Sequence, residues 1–254
     1  MALVRTVLPE FLDALDPHDP KAQRSRRDLQ RLHRVMGTQN ILLDGLRKLP
    51  LCRAGVARSS PLHVLELGAG DGSVLLGVAR ALQGEWPAVA LTLLDQFNLL
   101  HPITTDHFAG VRWDAHAEVG DVIDWAEQPL IAPTPSSGRW DLIVSNLFLH
   151  HFEAPQLTRL LAAIAARTHC FIACEPRRAW LPLAGSHLVG LVGASKVTRQ
   201  DAVLSVHAGF RKQELGALWP GATEEWTRKE HAAGMFSHCF IATRNGAVEV
   251  GRHP

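Results

Sequence analysis

The stretch VLELGAGDGS, Val64 to Ser73, constrains this chain more than any other. An apolar run ends in an acid and opens into three glycines at every second position, Gly68, Gly70 and Gly72. The spacing places them where a strand gives way to a helix. Glycine there tolerates positive φ and leaves bare backbone for a ligand to lie against, and in a doubly wound sheet ligands bind at the carboxyl ends of strands. A dinucleotide turn would read G-x-G-x-x-G, with a pyrophosphate on the helix N-terminus. Here the third glycine falls one position early, and Glu66 and Asp71 would repel a pyrophosphate. Two carboxylates suit a ligand that carries an ammonium and a sulfonium.

The rest of the chain supplies the sheet that such a turn requires. From Pro61 onward, short apolar runs alternate with helical stretches. Strands are expected over His63–Leu67, Ala88–Leu94, Val111 towards Val122, Asp141–Ser145 and Cys170–Cys174, and helices over Ser73–Leu82 and Gln156–Ala166. This alternation predicts parallel strands covered on both faces. Glu225–Lys229 and Ser237–Thr243 read as a closing antiparallel pair joined through His231–Gly234. Before the sheet, Asp19 and Pro20 are a helix start, Leu29, Leu32, Val35 and Met36 recur at helical spacing, and Gly37 is a stop. A second helix carries Ile41, Leu42, Leu46 and Leu49; Pro50–Ser60 is a linker and 133–138 (PTPSSG) a loop. Between Pro176 and Phe210 an apolar helix and a polar stretch read as an insertion after the fifth strand. The expected organisation is an N-terminal helical cap over 1–60, an α/β domain over 61–245 with the insertion at 176–209, and a tail over 246–254. The cap and insertion together are expected to roof a doubly wound, mostly parallel seven-stranded sheet with an antiparallel C-terminal edge strand.

The glycine segment, E-x-G-x-G-x-G after a strand, resembles the first motif of class I S-adenosylmethionine-dependent methyltransferases, and further landmarks follow in order. Asp95 ends the second strand 23 residues beyond Gly72 and can accept from both ribose hydroxyls. The resemblance implies that Asp121 accepts from the adenine amino group with Val122 beside the ring; Asp114 and Glu118 compete for the same role. The segment DLIVSNLFLHHF, Asp141 to Phe152, resembles the family's fourth motif, in which Asn146 would line the methionine portion. Glu66, Gly68, Gly70 and Gly72 complete the implied S-adenosyl-L-methionine site. The flanking segments RSRRDLQRLHRVMG, CEPRR and DAVLSVHAGFR look like bacterial small-molecule methyltransferases.

Methyl transfer is an in-line displacement that gains from alignment and exclusion of water, and an oxygen acceptor reacts better as its anion. His150 and His151 follow the fourth strand, where the acceptor should lie, and His150 is the first choice of base. Glu175, Arg177, Arg178 and His207 can face the same pocket, and Trp180 and Phe148 can stack on an aromatic acceptor; the bland alternatives are packing and solvation. The expected acceptor is a small phenolic or hydroxylated metabolite methylated on oxygen, with carbon next. A non-catalytic partner of the same fold is the reading from a different class, and a nicotinamide oxidoreductase is disfavoured by the early third glycine.

Composition excludes little but agrees. With 26 basic and 25 acidic residues the chain lacks the charge of a nucleic-acid binder. The run Lys21, Arg24, Arg26, Arg27, Arg31 and Arg34 is either a solvated helix face or a lure for an anionic substrate. Four cysteines in mostly apolar runs read as reduced core thiols of a cytoplasmic protein, with no metal site at Cys170 and Cys174. Arg5 and Glu10 interrupt any secretory signal, and no stretch reads as a membrane span.

Overall fold

The computed structural model describes residues 3–51, 60–129 and 138–246. The linker segment 52–59 with Cys52, most of the 133–138 loop and the tail from 247 lie outside them. The strands are β1 (Leu62–Leu67), β2 (Val89–Asp95), β3 (Trp113–Val119), β4 (Trp140–Asn146), β5 (Thr168–Pro176), β6 (Trp226–Ala233) and β7 (Ser237–Arg244). They form one seven-stranded sheet in the order β3-β2-β1-β4-β5-β7-β6. Pairings from β3 across to β5 are parallel, and β7 is antiparallel to both β5 and β6. The closing pair thus occupies one side of the sheet, with β7, the last in sequence, lying inside β6.

Both faces are covered because the inner strands alternate two apolar sets. Leu62 and Val64 of β1, Leu142 and Val144 of β4, and Cys170, Ile172 and Cys174 of β5 pack on one face. Leu65 and Leu67, Ile143, Phe171 and Ala173 pack on the other. Three helices supply side chains to the first face: α2 (Thr38–Leu46), α3 (Ser73–Ala81) and α4 (Pro102–Ala109). The second face receives α5 (Val122–Glu127), α6 (Ala154–Arg167) and α9 (Glu214–Leu218). Burial on both sides is the physical reason these strands read as near-continuous hydrophobic runs. No helix of the described residues is long and apolar enough to cross a membrane.

Several expectations need revision. The third strand stops at Val119 instead of running towards Val122, because Asp121 caps α5: its Oδ1 accepts from the amides of Ile123 at 2.6 Å and Asp124 at 3.4 Å. Such a cap is worth about 1 kcal/mol, enough to turn the chain there. Helix α2 is part of the sheet's own core through Leu42, Leu43 and Leu46, not part of a roof. Helix α1 (Pro20–Met36) starts at the expected cap, with Asp19 accepting from the Lys21 amide, and ends at Gly37 in the left-handed region. It does not bury the expected apolar stripe: Ala22, Ser25 and Asp28 are inside, while Val35 is 63% exposed. The polar stretch of the insertion is a helix, α8 (Lys196–Ala208), capped by Ser195. Asp28 accepts from the Ser195 amide at 2.7 Å and from the Thr198 hydroxyl at 3.1 Å, which fastens α1 to α8 through a buried polar contact. The apolar helix of the insertion, α7 (Trp180–Leu188), turns Trp180, Leu181 and Leu188 largely to solvent.

Residues 3–19 form a strap along α8. The Thr6 amide donates to the His207 carbonyl at 3.1 Å, and the amides of Phe11 and Leu12 donate to the Asp201 carboxylate at 2.7 and 3.0 Å. Arg5 donates to the carbonyls of Ala208, Phe152 and His150 and lies 4.7 Å over the Phe210 ring. The strap and α8, with α1 and α7, make the roof.

Candidate active site

The turn after β1 meets the ends of β2 and β4 where the strand order reverses, between β1 and β4. Gly68, Gly70 and Gly72 all adopt positive φ, at 67°, 57° and 71°. Their surroundings differ. A Cβ on Gly68 would fall inside the Phe148 ring, whereas around Gly70 there is open space. Gly70 is therefore the point of the turn at which bare backbone faces open space.

Asp95 stands beside Gly70. The Gly70 amide donates to Asp95 Oδ2 at 2.9 Å, and the Phe97 amide donates to Oδ1 at 3.1 Å. The carboxylate joins the β1 and β2 turns, and each oxygen keeps lone-pair capacity for a hydroxyl donor. Glu66 is 3% exposed, on the same face of β1 as Val64, and its Oε2 has no partner. Burial, then the neighbouring Asp71 and Asp95 carboxylates, push the Glu66 carboxyl well above its usual range. On β4, Asn146 Oδ1 and Ser145 Oγ are also buried without partners. Buried polar groups without partners are uncommon in folded proteins. Glu66 and Asn146 lie on one face of the sheet at the ends of two adjacent strands, with Asp71 and Asp95 nearby, and Ser145 lies on the other face; the first two fit a cationic amino-acid tail and do not fit a pyrophosphate.

Two groups on α1 support this turn and carried no motif. Gln30 Nε2 donates to Asp71 Oδ2 at 2.5 Å, and His33, its Nδ1 3.4 Å from the Thr38 hydroxyl, is lowered to about 4 by burial, against the charge of Asp71. Asp121 stands beside the β2 turn, where Gln96 Nε2 donates to its Oδ2 at 3.1 Å. Val122 next to it is 4% exposed and packs into the core, so its side chain serves the α5 face of the sheet. Asp114 and Glu118 are exposed on β3.

The turn after β4 is held from behind. Leu147 takes a positive φ of 49°, and a single 3-10 turn follows at Leu149–His151. Glu175, fully buried, accepts from the amides of Phe148, Leu149 and His150 at 3.1, 2.9 and 3.3 Å and contacts His150 Nδ1 at 2.8 Å. His150 Nε2 lies 3.3 Å from Glu10 Oε1 of the strap. Burial would lower the His150 imidazole, but its hydrogen bonds to Glu10 and Glu175, and their charges, prevail and push it up to about 9. Glu10 would likewise be raised by burial, yet its contact with His150 brings it below its usual value. With its two nitrogens beside Glu175 and Glu10, His150 is poorly placed to take a proton from an acceptor, and the first choice of base is corrected on that ground. His151 is 24% exposed, with Nδ1 3.1 Å from Asp13 Oδ2 and its ring 4.3 Å from that of His150.

Three further expectations fail. Glu175 faces the β4 turn and not the acceptor. Arg178 is buried and spent on the carbonyls of Leu3 and Gly209 and on Glu214 at 2.5 Å. Trp180 is 62% exposed. On α1, Lys21, Arg24, Arg27, Arg31 and Arg34 are solvated.

A sheet in this order, with a glycine turn and an acid at the end of β2, defines the Rossmann-like methyltransferase class. Residues 37–180, more than half of the chain, match the profile of the family described as lysine methyltransferase, and the chain belongs to that family. The family so described is one of methyltransferases. Similar solved structures include an O-methyltransferase family protein from Burkholderia thailandensis (15% identity, TM-score 0.52, covering 92% of this chain and 64% of that one). Others are magnesium protoporphyrin IX methyltransferase from Synechocystis with bound SAH (13%, 0.55, 90% and 96%) and an O-methyltransferase family 2 protein from Planctomyces limnophilus in complex with apigenin (17%, 0.53, 90% and 63%). The chain spans under two thirds of the Burkholderia and Planctomyces proteins. No curated protein sequence matches it.

Proposed function

We propose that the chain transfers the methyl group of S-adenosylmethionine to a small phenolic or hydroxylated acceptor, on oxygen. The observation that carries this reading is the roof: the strap residues Arg5 and Glu10 reach the turn after β4, so that turn is covered rather than presented as a bare groove for a folded protein. An open depression of about 540 Å³ lies between the strap and the insertion, lined by Phe11, Ser186, His187, Lys196, Arg199 and Leu204.

In this reading Gly68, Gly70 and Glu66 hold the methionine portion, Asp95 the ribose, Asp121 the adenine edge, and Asn146 the region next to the reacting carbon. When bound, the cofactor supplies a sulfonium-activated methyl group. The chain's own part is to fix its direction and to exclude water, the terms from which displacement at carbon gains most. Of the paired histidines, His151, partly exposed and with its ring 6.2 Å from that of Phe148, is the one left to meet an acceptor.

The family's description supports a second reading, transfer to a lysine amine. Incubating the protein with labelled S-adenosylmethionine, a panel of phenols and hydroxylated aromatics, and a protein extract separates the two. Label in a small product is expected; label confined to protein lysine would replace the oxygen reading.

A further inference from the structure

Glu10 of the strap and the pair His150 and His151 are 140 residues apart in sequence, and one donor atom from each lies within 4.8 Å of the other two. The 3.3 Å between His150 Nε2 and Glu10 Oε1 is the separation expected of two ligands on one tetrahedral ion with bonds of about 2.0–2.2 Å. Behind this trio stands a second layer. Glu175 backs the far nitrogen of His150 at 2.8 Å, the carboxylate–histidine arrangement that orients ligands in metal sites, and Glu175 is itself fixed by three backbone amides. Asp13 Oδ2 lies 3.1 Å from His151 Nδ1. The Ser205 hydroxyl donates to Glu10 and fixes the third donor. The neighbouring cation, Arg5, is turned to the carbonyls of His150, Phe152 and Ala208. Three carboxylates therefore face two imidazoles. Side-chain exposure rises from 2% at His150 through 12% at Glu10 to 24% at His151, so the trio is closed on the protein side and open on one flank.

We infer that Glu10, His150 and His151 form a binding site for a divalent transition-metal ion, with Zn²⁺ as the fitting occupant. Two imidazoles with one carboxylate suit zinc and its neighbours, whereas magnesium and calcium seek all-oxygen shells. Three protein ligands leave a fourth position for water or a ligand oxygen, the pattern of a catalytic rather than a closed structural site. The ion would also join the strap to the turn after β4.

The test is titration of chelator-treated full-length protein with Zn²⁺ by calorimetry and with Co²⁺ by visible absorption. One ion per chain is expected, with Co²⁺ bands of nitrogen and oxygen ligation. Glu10→Gln and His151→Ala should each weaken binding at least about tenfold, while His107→Ala, on exposed α4, should not. No binding by the wild-type protein, a thiolate-to-cobalt band placing the ion on cysteine, or equal affinity in all three variants would overturn the site. Because binding is read without acceptor or cofactor, the outcome is independent of the acceptor's identity.

Discussion

The two sides of the cleft are assembled in different ways. On the cofactor side every group stands within a few residues of a strand end: Glu66 and Gly70 at β1, Asp95 at β2, Asn146 at β4. The parallel sheet alone brings them together, because the ends of β1, β2 and β4 are in register. On the acceptor side the contacts join Glu10 to His150 across 140 positions, Phe11 to Asp201 across 190, and Arg5 to Ala208 across 203. That side exists only while the strap is seated on α8. The first side is set by the core, the second by a docked segment, and the two should therefore fail separately.

The largest effect should come from Asp95→Ala. It removes the acceptor of two backbone amides along with the candidate ribose partner, each charge-assisted bond being worth about 1.5–3 kcal/mol. Calorimetry should show S-adenosylmethionine affinity reduced at least about a hundredfold, about 2.7 kcal/mol; an unchanged affinity would remove the cofactor side as drawn. Arg5→Ala should do the reverse. With the strap loosened, acceptor KM rises about tenfold, about 1.4 kcal/mol, while cofactor affinity stays within about twofold; equal loss of both would mean that the sides are one unit. Within the glycine turn, Gly68→Ala should cost about 3 kcal/mol of stability, combining left-handed strain with overpacking against Phe148. Gly70→Ala, with open space around it, should cost only about 1 kcal/mol yet weaken cofactor binding, a contrast that thermal unfolding and calorimetry together would reveal. The effect least tied to either side concerns His33. Its folded value of about 4 lies below the ordinary 6.5, so protons favour the unfolded chain. Stability should decline as pH falls from about 6.5 towards 4, and His33→Asn should flatten that part of the unfolding profile.

The same contrast explains what could be read from the sequence. β1, β2, β4 and β5 appear as apolar runs because both faces are buried, and the glycine turn, Asp95 and Asn146 follow at strand ends. The groups around His150 have no such local signature. Glu10 lies in a segment without regular structure, and Glu175 looks like a pocket acid until its three amide partners are seen. Asp121 was legible as an acid near β3, but the apolar residue after it begins a helix that packs inward. In α1 the periodicity was right and the buried face was not, since Asp28, Ser25 and Thr198 satisfy one another across two helices, a match that neither helix shows alone. Gln30 gave no sign of its contact with Asp71, because that contact depends on how α1 lies over the turn.

The strap also imposes an order of events during synthesis. Residues 3–19 leave the ribosome before α8, yet the carboxylate and carbonyls that hold them belong to Asp201, His207 and Ala208. The strap must therefore wait for the chain as far as Asp201, 190 positions beyond Phe11, before it can settle. A nascent chain halted before α8 would carry its glycine turn and Asp95 complete while its N-terminal stretch remained unattached.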